Sequence, residues 1–116
     1  MEPNYKLDEY SKHAYSAIAT IFEMIAAGAK GEYGMYRRTN SKEELDPDTH
    51  YQFQAGIQTK PCNVLLDFAV KKDGIARIHI EVTRGESGGN YTSSFSIKDF
   101  KKELMVVEFF LKRNFL

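Results

Sequence analysis

Residues 63–84 read NVLLDFAVKKDGIARIHIEVTR. Val64, Leu66, Phe68 and Val70 alternate with Asn63, Leu65, Asp67, Ala69 and Lys71. Past Lys72-Asp73-Gly74 the alternation resumes, with Ala76, Ile78, Ile80 and Val82 against Arg77, His79, Glu81 and Thr83. Period two on both sides of an Asp-Gly pair describes a β-hairpin with one buried face. Its loop length follows from the alternation. A two-residue Asp73-Gly74 loop would set Val70 against Arg77 and mix the faces. A three-residue loop, Lys72-Asp73-Gly74, sets Val70 against Ala76, Phe68 against Ile78 and Asp67 against His79. That loop wants Gly74 at positive φ.

Working outward, Tyr51, Phe53, Ala55 and Ile57 alternate with His50, Gln52, Gln54 and Gln58. This predicts another strand, turned into the hairpin by Thr59-Lys60-Pro61. Tyr91, Ser93 and Phe95, with Thr92 and Ser94 opposite, predict a strand on the far side. Arg84 to Asn90 reads as a flexible glycine-rich connection. The exposed sheet face should then carry His50, Gln52, Gln54, Asp67, Arg77, His79 and Glu81, with no Phe or Tyr. Of these, His50, Gln52, Gln54, Arg77 and His79 are the candidate binding residues.

Both ends read as helices. From Tyr5 to Ala27, the residues Leu7, Tyr10, Ala14, Ile18, Ile21 and Ile25 form one apolar stripe, broadened by Tyr15 and Phe22. Asp8 and Glu9 fall in its first turn, where the helix dipole favours acids, and Gly28 ends it. Ser96-Ile97-Lys98-Asp99 has the spacing of a side-chain cap for a second helix running to about Arg113. Its first stripe is Ile97, Phe100, Leu104, Val107 and Leu111. Met105, Val106, Phe109 and Phe110 make a second. Seven of the eight residues from Leu104 to Leu111 are apolar, more than one sheet can cover. Between the first helix and the sheet, residues 29–48 lack a strong pattern. Met35 to Arg38 fits a short edge strand, Ser41-Lys42-Glu43-Glu44 a capping box, and Asp46-Pro47-Asp48 a turn. The expected fold is α+β: a four-stranded, mostly antiparallel sheet, five-stranded if 35–38 joins, with an N-terminal and a C-terminal helix packed on one face. The 116 residues read as a single domain, 1–116.

Composition narrows the function classes. Sixteen basic and sixteen acidic residues cancel, which disfavours a binder held by phosphate contacts. A single cysteine, Cys62, allows no internal disulfide and no cysteine-based zinc cluster. The apolar stretch Ala14–Ala29 is broken by Ser16, Thr20 and Glu23, and the acidic start is unlike a signal peptide. The expectation is a cytoplasmic protein with no membrane span. The three histidines, His13, His50 and His79, have no metal-binding spacing. The expectation is no bound metal and no cofactor.

Two arrangements resemble known families. Asp67 on one strand and Ile80-Glu81-Val82-Thr83 on the next resemble the PD-(D/E)xK nucleases, which include Holliday junction resolvases. The resemblance implies that Asp67 and Glu81 hold Mg²⁺ as catalytic ligands; the family's lysine position is occupied here by Thr83. The order strand-turn-strand-loop-strand-helix from Cys62 to Arg113 resembles whirly and purine-rich-element (PUR) repeats. That resemblance implies single-stranded nucleic-acid binding and dimerisation. The residues themselves favour a non-enzymatic binding or interaction module. It would self-associate as a homodimer through Met105, Phe109 and Phe110 of the C-terminal helix.

Overall fold

The computed structural model describes residues 3–28, 33–59 and 62–115. The expected Lys60-Pro61 turn, Gly31-Glu32 and the chain's first two residues lie outside the described residues. The elements run α1 (Pro3–Gly28), β1 (Tyr33–Thr39), β2 (Thr49–Thr59), β3 (Asn63–Lys71), β4 (Ile75–Arg84), β5 (Ser87–Ser96) and α2 (Phe100–Phe115), with single 3₁₀ turns at Lys42–Glu44 and Ile97–Asp99. The fold is α+β. Among the described residues, five strands form one sheet in the order β1-β2-β3-β4-β5, every neighbouring pair antiparallel. Both helices pack on the same face. No helix among the described residues is long and apolar enough to cross a membrane.

The β3–β4 hairpin has the register its alternation requires. Val70 lies opposite Ala76, Phe68 opposite Ile78, Leu66 opposite Ile80 and Asp67 opposite His79. The loop is Lys72-Asp73-Gly74, with Gly74 at φ +92°. The Gly74 N–H donates to the Lys71 carbonyl at 2.9 Å, and the Ile75 N–H to Asp73 Oδ1 at 2.9 Å. The tip is also a junction. Its Gly74 carbonyl accepts the Ile97 N–H at 2.9 Å, and its Lys72 N–H donates to the Asp48 carbonyl at 2.9 Å. A β-branched residue tolerates positive φ poorly. Gly74→Val should therefore destabilise by about 1–3 kcal/mol, read as a lower urea midpoint; an unchanged midpoint would show that the loop relaxes freely.

The alternating apolar residues build the core. Phe53, Val64, Leu66, Phe68, Val70, Ile78 and Ile80 are buried from the sheet, Ile18 and Phe22 from α1, Val107 and Leu111 from α2. Tyr15 of α1 meets Phe53 edge-on at 4.9 Å, and Phe100 of α2 meets Phe68 at 5.8 Å. Glu103 of α2 accepts the Tyr91 hydroxyl, and the Ser93 hydroxyl at 3.1 Å, fixing α2 over β5.

Several local expectations change. The edge strand β1 runs seven residues, longer than the expected 35–38, while the expected capping box is present: Glu44 of the 3₁₀ turn accepts the Ser41 N–H at 2.9 Å. Arg84 to Asn90 is no flexible connection. Arg84 pairs with Ser87 across a two-residue Gly85-Glu86 loop, with φ +60° at Gly85. Positive φ at the first loop position alone is the pattern of a tight II′ hairpin turn. Ser96 precedes the Ile97–Asp99 turn, but its side chain makes no capping hydrogen bond; the Gly74 carbonyl anchors Ile97 instead. Because α1 begins at Pro3, Asp8 sits beyond the first turn, and its carboxylate serves a strand instead of the dipole.

Three weak acids are pushed the same way by burial, complete at Cys62 and partial at Tyr51 and Tyr91. Desolvation raises the pKa of the Cys62 thiol against the opposing pull of Arg84. It raises that of the Tyr51 phenol, and that of Tyr91, where Glu103 adds to it. Each folded-state pKa lies above its unfolded value. The unfolded chain therefore ionises first as pH rises, and folding stability falls. The loss should begin near the ordinary thiol range, about pH 8.5, and deepen through the ordinary phenol range, about pH 10. Urea midpoints measured across that window should fall, and less steeply in Tyr51→Phe and Tyr91→Phe; a flat profile would contradict the direction.

Candidate functional site

The face away from the helices is open, and antiparallel pairing sorts its side chains into rows across all five strands. One row is Arg38–Gln54–Asp67–His79–Thr92. Beside it runs Tyr36–Gly56–Leu65–Glu81–Asn90, and beyond that Gly34–Gln58–Asn63–Thr83–Gly88. On the other side of the first row, Gln52–Ala69–Arg77–Ser94 completes the face.

The central row is held by hydrogen bonds between side chains. Asp67 accepts the Gln54 amide at 2.6 Å on Oδ1, and the Gln52 amide at 3.0 and 3.2 Å on its two oxygens. His79 stands opposite Asp67 in the register, as expected, but its ring engages other groups. Nδ1 lies 2.7 Å from Thr92 Oγ1 and Nε2 3.1 Å from Glu81 Oε1. Arg38 pairs with Glu44 of the 3₁₀ turn. That pairing and the Ser41 N–H bond hold the Glu44 carboxyl below its ordinary pKa, the backbone bond contributing most. Asp67 and Glu81, the pair implied by the nuclease resemblance, sit in adjacent rows with separate partners. Among the described residues, no group of three or more His, Cys, Asp or Glu is placed to hold a metal ion.

His50 requires a correction. Its place in the alternation puts it beside Gln52 and Gln54, but a register shift between Thr49 and Tyr51 interrupts the β2–β3 ladder. An extra residue in one strand rotates its neighbour out of the alternating pattern. His50 Nε2 lies 2.6 Å from Asp8 Oδ1 of α1, so His50 belongs to the helix side as a tie between layers. Gln52, Gln54, Arg77 and His79 do share the open face.

The second correction concerns aromatics. The face carries Tyr36, contributed by β1. Tyr36 lies opposite Gly56, and its ring covers that glycine: a Cβ on Gly56 would fall 2.4 Å from Tyr36 Cε1. Leu65 stands on the other side of Gly56, half exposed. A hollow of about 350 Å³ opens here, lined by Gly34, Tyr36, Gly56, Gln58, Asn63 and Leu65 together with the backbone between them. Sequence reading missed it because β1 has no buried position, so alternation could not assign its faces. The available signal was the pair Gly34 and Gly56, small residues on neighbouring strands.

A second exposed feature lies on the opposite layer. On α2, Met105 is 74% exposed, Phe109 65% and Val106 45%. Phe110, expected with them, is half-buried, its ring 5.7 Å from that of Tyr91. Cys62 is buried, and burial keeps its thiol in the protonated form. In comparisons with known proteins, no family model matches this chain and no curated protein is significantly similar to it.

Proposed function

We propose that this chain is a non-enzymatic interaction module that self-associates as a two-fold dimer through the outer face of α2. The observation that carries the reading is the exposure of Met105, Val106 and Phe109. Positions 105 and 109 are neighbours one helical turn apart, and 106 adjoins 109. The inner face of α2 is already used by Phe100, Val107 and Leu111, and the described residues leave this stripe largely uncovered. A contiguous apolar patch rimmed by polar residues marks an association surface.

The occupant we infer is a second copy. The formal net charge is zero, so copies do not repel one another and no strongly charged partner is selected by the overall field. A two-fold axis through the patch sets the same residues against each other and buries both stripes in one contact. Three side chains fall short of the roughly 1,000 Å² a specific interface buries. Flanking aliphatic stems of Lys102, Lys112 and Arg113 would extend it, and the affinity expected is micromolar. We assign the module to the cytoplasm, where a lone buried thiol persists.

Light scattering across the micromolar range tests this. The mass should climb from the 13.3 kDa of one chain toward twice that value. With like charges at the rim and apolar burial at the centre, added salt should not weaken the association. A mass that stays at one chain throughout would overturn the proposal.

A further inference from the structure

The hollow on the open sheet face lies on the layer opposite α2, so self-association leaves it free. We infer that it is a binding site for a single planar nucleobase, stacked on Tyr36 and read along its edge by Gln58 and Asn63.

Four observations carry this. First, the space is built by backbone choice. Gly34 and Gly56 sit on adjacent strands in adjacent rows. The ring of Tyr36 fills the space above Gly56, whereas a Cβ on Gly34 would meet no atom within 4 Å. The floor beside the ring is therefore open. Second, the walls are apolar: Tyr36 is 50% exposed and Leu65 49%. An aromatic face half open to solvent on a paired strand suits stacking by another ring. Third, apart from the Tyr36 hydroxyl, the side-chain polar groups at the hollow are carboxamides. Gln58 and Asn63 are exposed, lie directly opposite each other, and both line it. Each offers donors and an acceptor on one short planar group, the pairing chemistry that reads a base edge. Fourth, among the described residues no charged side chain lines it. Of the two β1 guanidiniums, Arg38 on this face is taken up by Glu44, and Arg37 lies over the Tyr15 ring of α1.

Those features also separate the ligand classes. A phosphate would need a cation, and the described lining residues include none. A sugar brings many hydroxyls, and two carboxamides would leave most of them unpaired once desolvated. A base needs one stacked face and one edge of mixed donors and acceptors, and both are present. The volume, about 350 Å³, is at the small end of ligand sites and suits one ring system. The base could belong to a free nucleoside or to an unpaired position of a single strand; the chemistry is the same.

The test is a titration of the ¹⁵N-labelled chain, followed by amide shifts. The probes are adenosine, cytidine, glucose and a short single-stranded oligoadenylate. Saturable shifts confined to the amides of Gly34, Tyr36, Gly56, Gln58, Asn63 and Leu65 are expected with a nucleoside or with the oligonucleotide, and none with glucose. Binding by the nucleosides alone assigns a free nucleoside as the source. Binding by the oligonucleotide at much lower concentration assigns a strand. Tyr36→Ala should weaken binding roughly fivefold or more, the scale of one lost stack. Gly34→Val is the independent variant: the site above Gly34 is empty and its φ is not positive, so the fold should persist while the floor is filled. It should abolish the shifts with the rest of the spectrum unchanged. Equal shifts with glucose, no saturable shift with any nucleoside or oligonucleotide, or binding indifferent to both variants would overturn the assignment.

Discussion

Phe68→Ala should remove about 3–5 kcal/mol of folding stability, the cost of deleting a large side chain from a packed interior. Few single changes in this chain should cost more. Phe68 is wholly buried on the central strand of the sheet. Its ring lies 5.5 Å from Phe53, 6.4 Å from Phe95 and 5.8 Å from Phe100. It therefore links β2, β5 and α2 through one side chain. The truncation leaves a void bounded by three rings that are themselves anchored in different elements, so collapse around it is limited. Small domains hold only about 5–15 kcal/mol in total, and the variant should be close to unfolding at physiological temperature. Urea titration should show a much lower midpoint with an unchanged slope. A loss below about 1 kcal/mol would mean that the aromatic cluster repacks.

The same cluster explains how much of the fold the sequence reveals. Phe53, Phe68, Ile78 and Ile80 announce their strands because both faces of those strands have fixed environments, packed on one side and wet on the other. Period two is then enforced by energy, and the register follows from it down to the three-residue loop at Gly74. Where that contrast disappears, the reading loses its grip. β1 has seven exposed positions: it is held by the β2 backbone, and its side chains are under no burial constraint that a pattern could record. Tyr36 consequently escaped assignment to the open face. His50 was misplaced for a different reason. One extra residue in the ladder between Thr49 and Tyr51 reverses a face without altering composition, and no local signal marks it. The tight loop at Gly85 was hidden by glycine itself, which serves a flexible linker and a positive-φ turn equally well.

The open face illustrates a related limit. Gln52, Gln54, Asp67 and His79 were legible as a polar set, but what they do was not. Their polar atoms are engaged by neighbours on the face: two amides on the Asp67 carboxylate, and the His79 imidazole between the Thr92 hydroxyl and the Glu81 carboxylate. The hollow one row away has fewer polar groups, and its lining carboxamides, Gln58 and Asn63, stand beside space framed by glycine.

Met105→Glu with Phe109→Glu should leave the fold intact and abolish self-association, weakening it by roughly 100-fold or more. Both side chains are mostly outside the core, at 74% and 65% exposed, so replacing them in the monomer removes little packed contact. Glutamate is also a good helix former. In a two-fold contact the consequence is different. Four carboxylates would enter an interface that offers them no fixed partner at its centre, and desolvating an unpaired charge costs several kcal/mol. The rim lysines, Lys102 and Lys112, complicate the arithmetic, because a new carboxylate can find one of them; Lys112 is already paired with Glu108 at 2.7 Å. Serine in place of glutamate removes that complication by deleting apolar area without adding charge, and should weaken the dimer less. Light scattering gives the mass and urea unfolding the stability of each variant. The expected result is a chain of one-copy mass with an unaltered monomer midpoint. If the glutamate variant still associates as the wild type does, α2 is not the interface. If it unfolds, the two side chains contribute to the core in a way their exposure denies.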